Sequence, residues 1–234
     1  LTMENLIIFA GVFVVVTFAM VRFVRVARGS LSFLLALALI GGGQFTFSSW
    51  MPGSWSIILA VALALVASRA PLVITHDVAI LLGISGVAGL LGLSMTPLIA
   101  CGFLALMSVY DVVSVYRTRH MVTLASRMLE TEAVFGLLIP ASPSGFLSSR
   151  HGALRARSVL MLGSGDIGLP LVLATSAMSQ SVGAAILVAL FSLVGVGVMQ
   201  WMFARQQESA PMAALPPIAL SAILGYMTAI LVGI

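Results

Sequence analysis

Long apolar runs, broken by short clusters of arginine, glycine, proline or serine, set the pattern of this chain. They fall at residues 5–21, 31–47, 55–67, 74–93, 96–116, 158–177, 184–203 and 213–232. None alternates apolar and polar positions as barrel strands do, and at about 15–22 residues most are long enough for a helix that crosses a bilayer. The pattern therefore predicts eight membrane-spanning helices. Gly41–Gly43 and Gln44 interrupt the second run, and the third is short. Pro52 and Gly53 predict a turn between them. Gly83, Gly86, Gly89 and Gly92 form a small-residue stripe on the fourth span, which suits close helix packing. Residues 118–157 are the longest stretch without a span. Within it Met121, Leu124, Ala125, Met128 and Leu129 keep an approximate helical spacing, which predicts an amphipathic helix at the interface. Residues 141–146 (ASPSGF) read as loop.

Composition sharpens that picture. Of 234 residues 61% are hydrophobic and only 8% charged, against about 25% charged in soluble domains. This is an all-α, polytopic transmembrane helix bundle, because only closed barrels and helices satisfy their backbone in lipid. The net charge of +4 comes from eleven arginines and no lysine. They sit near the ends of apolar runs without a basic face, so they mark topology rather than nucleic-acid binding. With Arg22–Arg28 placed in the cytoplasm, Arg69, Arg117–Arg157 and Arg205 also fall inside, and every outer connection is free of arginine. Both ends of the visible chain then face away from the cytoplasm. The single cysteine, Cys101, rules out an internal disulfide.

Two acidic residues break the apolar pattern. Asp111 lies within VYDVVSV and Asp166 within MLGSGDIGLP. An ionisable group inside a membrane segment costs at least about 2.5–3.5 kcal/mol on insertion scales, so it marks function by default. Asp111 precedes Arg117 by six residues and Asp166 follows Arg157 by nine. At helical rise both would lie roughly 9–14 Å from the cytoplasmic boundary, on consecutive antiparallel helices. Two carboxylates at one depth share a proton, and so offer a base and an acid together. That pair can hydrolyse a peptide bond as aspartic proteases do. Intramembrane acids also serve ion and proton relays, so an ion- or proton-coupled transporter is the competing reading.

The residues around these aspartates carry a resemblance. Tyr110-Asp111 resembles the YD motif, and Gly163-Ser164-Gly165-Asp166 the GxGD motif, of presenilins and signal peptide peptidases. The last span opens with Met212-Ala-Ala-Leu-Pro-Pro-Ile, which resembles that family's PAL motif, with Ala213 at the place of its proline. The likeness runs from about residue 96 to the end of the chain, and the short loops look most like those of a microbial (archaeal) presenilin homologue. It implies an intramembrane aspartic endopeptidase with Asp111 and Asp166 as catalytic residues. Tyr110, Gly163 and Gly165 would support the site, and Ala213, Ala214 and Leu215 would seat substrate. It implies a transmembrane-helix protein or peptide as substrate, no cofactor and no metal, in the cell membrane of a prokaryote. A homo-oligomer is compatible with it. Residues 1–95 would form N-terminal helices, and 96–234 the catalytic core with a cytoplasmic loop around 118–157. The family has nine spans where eight are visible, as expected if one helix preceded Leu1. Prepilin-type peptidases share GxGD, but Gly168 stands where that family has lysine.

The remaining polar residues have plainer readings. His76 and Asp77 adjoin near a helix start, and no third metal ligand follows at helical spacing; acidic residues favour helix N-termini, so an interfacial cap is expected. His120 and His151 lie among arginines, and Ser142, Ser144, Ser148 and Ser149 lack an evident base.

Overall fold

The computed structural model describes residues 30–51, 53–69, 72–117, 134–140, 142–155, 159–205 and 212–234. The expected first span and the amphipathic helix around 121–129 lie outside them. In chain order, the helices are α1 (Ser30–Ser48), α2 (Ser54–Arg69), α3 (Val73–Leu93) and α4 (Pro97–Val112). After α4 come a π-helical turn, Val113–Arg117, then strand β1 (Gly136–Pro140) and a 3-10 turn, Pro143–Leu147. Next are α5 (Arg150–Arg155), β2 (Val159–Gly163), α6 (Ser164–Ala177), α7 (Val182–Arg205) and α8 (Leu215–Val232). Four stretches among the described residues are long and apolar enough to cross a membrane: Val73–Leu93, Pro97–Arg117, Val182–Arg205 and Leu215–Val232. Many large apolar side chains on them point outward, such as Leu98, Leu193, Val194 and Leu231. Lipid, unlike water, makes such exposure costless.

Two expectations change. The span expected at 158–177 is not one helix: Val159–Gly163 is extended and α6 begins at Ser164. Beside it, Gly136–Pro140 pairs antiparallel with β2, register Gly136↔Gly163 and Leu138↔Met161. A two-stranded sheet thus accompanies the helix bundle. The depth assigned to Asp166 from helical rise loses its basis, because a strand advances about 3.3 Å per residue where a helix advances 1.5 Å. The second change is smaller: residues 143–146 of the expected loop belong to the 3-10 turn, which ends at Leu147.

The described residues group into two compact units. One contains 88–117, 168–205 and 212–234. Its core joins α4, α6, α7 and α8 through Phe103, Leu104, Met107, Leu173, Val188 and Tyr226. Small residues set the α7–α8 approach: a side chain on Gly225 would stand 2.7 Å from Phe191 Cβ and 3.0 Å from the Leu187 carbonyl. Gly92 of α3 is packed as tightly, 2.7 Å from the Val172 carbonyl by the same measure.

The other unit contains the described residues within 30–87 and 134–167. Here Leu35, Leu39, Ala64, Ala79 and Ile80 join α1, α2 and α3. Gly83 and Gly86 face α1: a side chain on Gly86 would overlap the Gly42 carbonyl and stand 2.7 Å from Thr46 Oγ1. Thr46 Oγ1 in turn donates to the Leu82 carbonyl at 2.7 Å. Gly83 and Gly86 of the glycine stripe therefore pack against α1, while Gly92 packs against α6. A further cluster, Val73, Val134, Leu138, Ala153 and Leu154, packs the sheet on the start of α3.

Candidate active site

Asp111 lies one residue before the end of α4. Pro97 in the first turn pre-sets the helix, and Ile99, Phe103, Leu104 and Met107 bury one of its faces. Beyond Val112 the backbone widens into the π-helical turn, a form enriched at functional sites. The buried Ser114 hydroxyl donates to the Asp111 carbonyl at 2.9 Å. Tyr110 packs against the core of its unit, as an ordinary packed tyrosine would.

The Asp111 side chain has a defined partner. Met212–Ala214 is non-helical, and α8 starts at Leu215 with Pro216 and Pro217 next in line. The first N–H groups of a helix have no partner within it, and prolines remove two of these donors. The Leu215 N–H remains, and it donates to Asp111 Oδ2 at 3.2 Å. The positive end of the helix dipole also favours a carboxylate there. Leu215 and Ala213 are buried and Ala214 is half-buried. Leu215 belongs to the hydrophobic core of the unit.

Asp166 lies in the first turn of α6, directly after β2. Ser164 N–H donates to the Phe135 carbonyl at 3.1 Å, which ties the helix start to the strand-side backbone. Gly163 leaves room for the acid: a side-chain carbon there would stand 3.0 Å from Asp166 Oδ2 and 3.7 Å from its Cγ. Gly165 is exposed and such a carbon would meet nothing within 4 Å. Of the two motif glycines, only Gly163 therefore makes space for the carboxyl. Pro170, four residues on, cannot supply the helical N–H that ordinarily bonds the Asp166 carbonyl.

Asp111 and Asp166 fall in different units. Asp111 is joined to Leu215, and Gly163 accommodates Asp166. His76 and Asp77 do not form the expected interfacial cap; both are buried and bond to the sheet. His120 lies outside the described residues. The sequence reading missed the sheet itself. Only a weak signal was present: GLLIP is a short apolar run with glycine and proline at its ends, which fits a buried strand and a buried helix segment alike.

One acid thus lies near the end of an apolar helix and another in the first turn of a second helix. The family described as signal-peptide peptidase, presenilin aspartyl protease matches residues 3–234. The chain belongs to that family. The match reaches well beyond the stretch from residue 96 that carries the motif resemblance. One similar solved structure is that of a presenilin family intramembrane aspartate protease in space group C222, with 24% identity and TM-score 0.68. It covers 99% of this chain and 86% of its own. A second, in space group P2, shares 25% identity at TM-score 0.66, covering 99% and 85%. No curated protein matches. The protein is accordingly an aspartyl protease, a peptide hydrolase, and an integral membrane protein.

Proposed function

We propose that the protein cleaves peptide bonds within the transmembrane helices of other membrane proteins, and that Asp111 and Asp166 are its catalytic pair. The pair holds one proton between two carboxyls. The ionised carboxylate takes a proton from water as the water oxygen bonds to the scissile carbonyl carbon. The protonated partner gives its proton to the carbonyl oxygen, forming a neutral gem-diol. Collapse re-forms the carbonyl, breaks the C–N bond, and delivers a proton to the leaving amine. Both aspartates lie on one chain, so the chemistry needs no second copy.

The observation that carries this reading is the bond from Leu215 N–H to Asp111 Oδ2. It joins one proposed catalytic residue to the segment proposed to seat substrate, Ala213–Leu215, although 104 residues separate them. A substrate helix hides its carbonyls in its own hydrogen bonds, so it must unwind before attack. Unwound backbone in lipid needs new partners, and strand addition to β2 or to Ala213–Leu215 would supply them. We place the protein in the cell membrane of a prokaryote, on its likeness to microbial homologues.

The test is cleavage of a single-pass membrane substrate by purified protein, with fragments identified by mass. Asp111→Asn and Asp166→Asn should each lower the rate by orders of magnitude with the fold retained. Full cleavage by either variant would end the proposal for that residue.

A further inference from the structure

His76 and Asp77 are buried polar side chains that the proposed chemistry does not use. Their partners are backbone groups of β1. His76 Nε2 lies 3.2 Å from the Gly136 carbonyl, and Leu138 N–H donates to Asp77 Oδ1 at 2.9 Å. A carbonyl only accepts, so Nε2 carries the imidazole hydrogen. Nδ1 faces Arg150 Nη1 at 3.4 Å, and a guanidinium only donates, so Nδ1 accepts. Both ring nitrogens are thereby committed. Arg150 Nη1 also donates to the Ala67 carbonyl at 3.2 Å, which ties α2 and α5 to the same point.

The strand register explains why these two residues meet that strand. Ser164 N–H bonds the Phe135 carbonyl, so 135 and 164 are a hydrogen-bonded pair. In an antiparallel ladder such pairs alternate. Gly136↔Gly163 and Leu138↔Met161 are then non-hydrogen-bonded pairs. The backbone groups of Gly136 and Leu138 point away from β2, towards α3. His76 and Asp77 meet them there and act as a side-chain substitute for a third strand. That edge of the sheet is closed. The outward groups of Val159 and Met161 lie on the opposite edge.

We propose that His76 and Asp77 are positioning residues for catalysis: by fixing β1 to α3 they set the register of β2, and through it the start of α6 and the place of Asp166. The linkage is short. Gly136, which His76 holds, sits opposite Gly163, and Gly163 is the residue that makes room for the Asp166 carboxyl. A side chain on Gly136 would overlap the Leu162 carbonyl, so the strands have little slack at this end. Loss of either anchor should let the sheet shift. A misplacement of about 1 Å near a reacting group costs on the order of 100-fold in rate. The inference rests on Asp166 being catalytic.

The experiment is steady-state cleavage of a single-pass substrate by purified protein carrying Asp77→Leu, Asp77→Asn, His76→Phe or His76→Gln, with Asp166→Asn as control. Thermal unfolding in detergent reports the fold. Asparagine keeps an acceptor for Leu138 N–H, and glutamine keeps a donor for the Gly136 carbonyl. Asp77→Leu and His76→Phe should lower kcat about 10- to 100-fold with KM within about threefold, and the conservative variants should stay within about threefold of the parent in both. A folded Asp77→Leu with parental kcat overturns the proposal, as does Asp77→Asn losing as much as Asp77→Leu. If the apolar variants do not fold, Asp77→Asn decides alone: retention of kcat supports positioning through the acceptor, and a tenfold loss overturns it. Cleavage surviving in Asp166→Asn would instead remove the catalytic assignment on which the inference stands.

Discussion

Leu215 offers its backbone N–H to Asp111 Oδ2 across 3.2 Å, so the first residue of α8 holds an acid near the end of α4. The bond needs an acceptor oxygen, not a charge. Asp111→Asn should therefore unfold within about 1 kcal/mol of the parent while losing cleavage, whereas Asp111→Leu leaves the donor unmet and should cost about 1–3 kcal/mol. Chemical denaturation in detergent checks both. Equal stability of the two variants would show that the bond contributes nothing.

Leu215 itself is a core residue, so its seating role is best probed by a small apolar replacement rather than by a charge. Leu215→Ala should destabilise by about 2–5 kcal/mol and weaken an active-site-directed inhibitor while the protein remains folded at low temperature. Inhibitor affinity unchanged in the folded variant would remove Leu215 from the substrate-seating segment.

The two motif glycines should part company. Gly163→Ala puts a carbon against the Asp166 carboxyl and should lower kcat about tenfold or more, as expected for a displaced catalytic group. Gly165→Ala meets open space inside a helix and should be neutral or stabilising by up to about 1 kcal/mol. Parallel rate and unfolding measurements decide it; equal losses in both would contradict the geometry.

Orientation can be read by labelling. In a Cys101→Ala background, single cysteines near Arg119 and Arg205 should react only with reagents admitted to the cytoplasmic side, because arginine is retained there. Labelling from outside at either position would invert the assigned topology.

The proposed acid–base pair supplies every proton the reaction needs. Cleavage should therefore survive a strong chelator at the parental rate. Activity abolished by chelation and restored by one metal would reopen the mechanism.

The spans and the motif aspartates were legible in the sequence because lipid leaves the backbone few choices. Runs such as 74–93 and 184–203 must be helical wherever they pack, and the helices Val73–Leu93 and Val182–Arg205 follow them closely. An acid in such a run is conspicuous without any partner in view, which is how Asp111 and Asp166 stand out. Only tertiary structure decided the form of 159–163. Its five residues are as apolar as a span, and they are extended because Gly136–Pro140 pairs with them, from Pro140↔Val159 to Gly136↔Gly163. Periodicity cannot show a pairing of this kind, because both strands are short apolar runs that would suit a buried helix equally well. The same holds for the polar anchors. His76 and Asp77 meet β1 at sequence separations of 60 and 61 residues, and nothing local marks those partners. It holds again for the glycines. Gly163 and Gly165 are equivalent in the motif, and only the bend from β2 into α6 decides that Gly163 faces the Asp166 carboxyl while Gly165 faces open space.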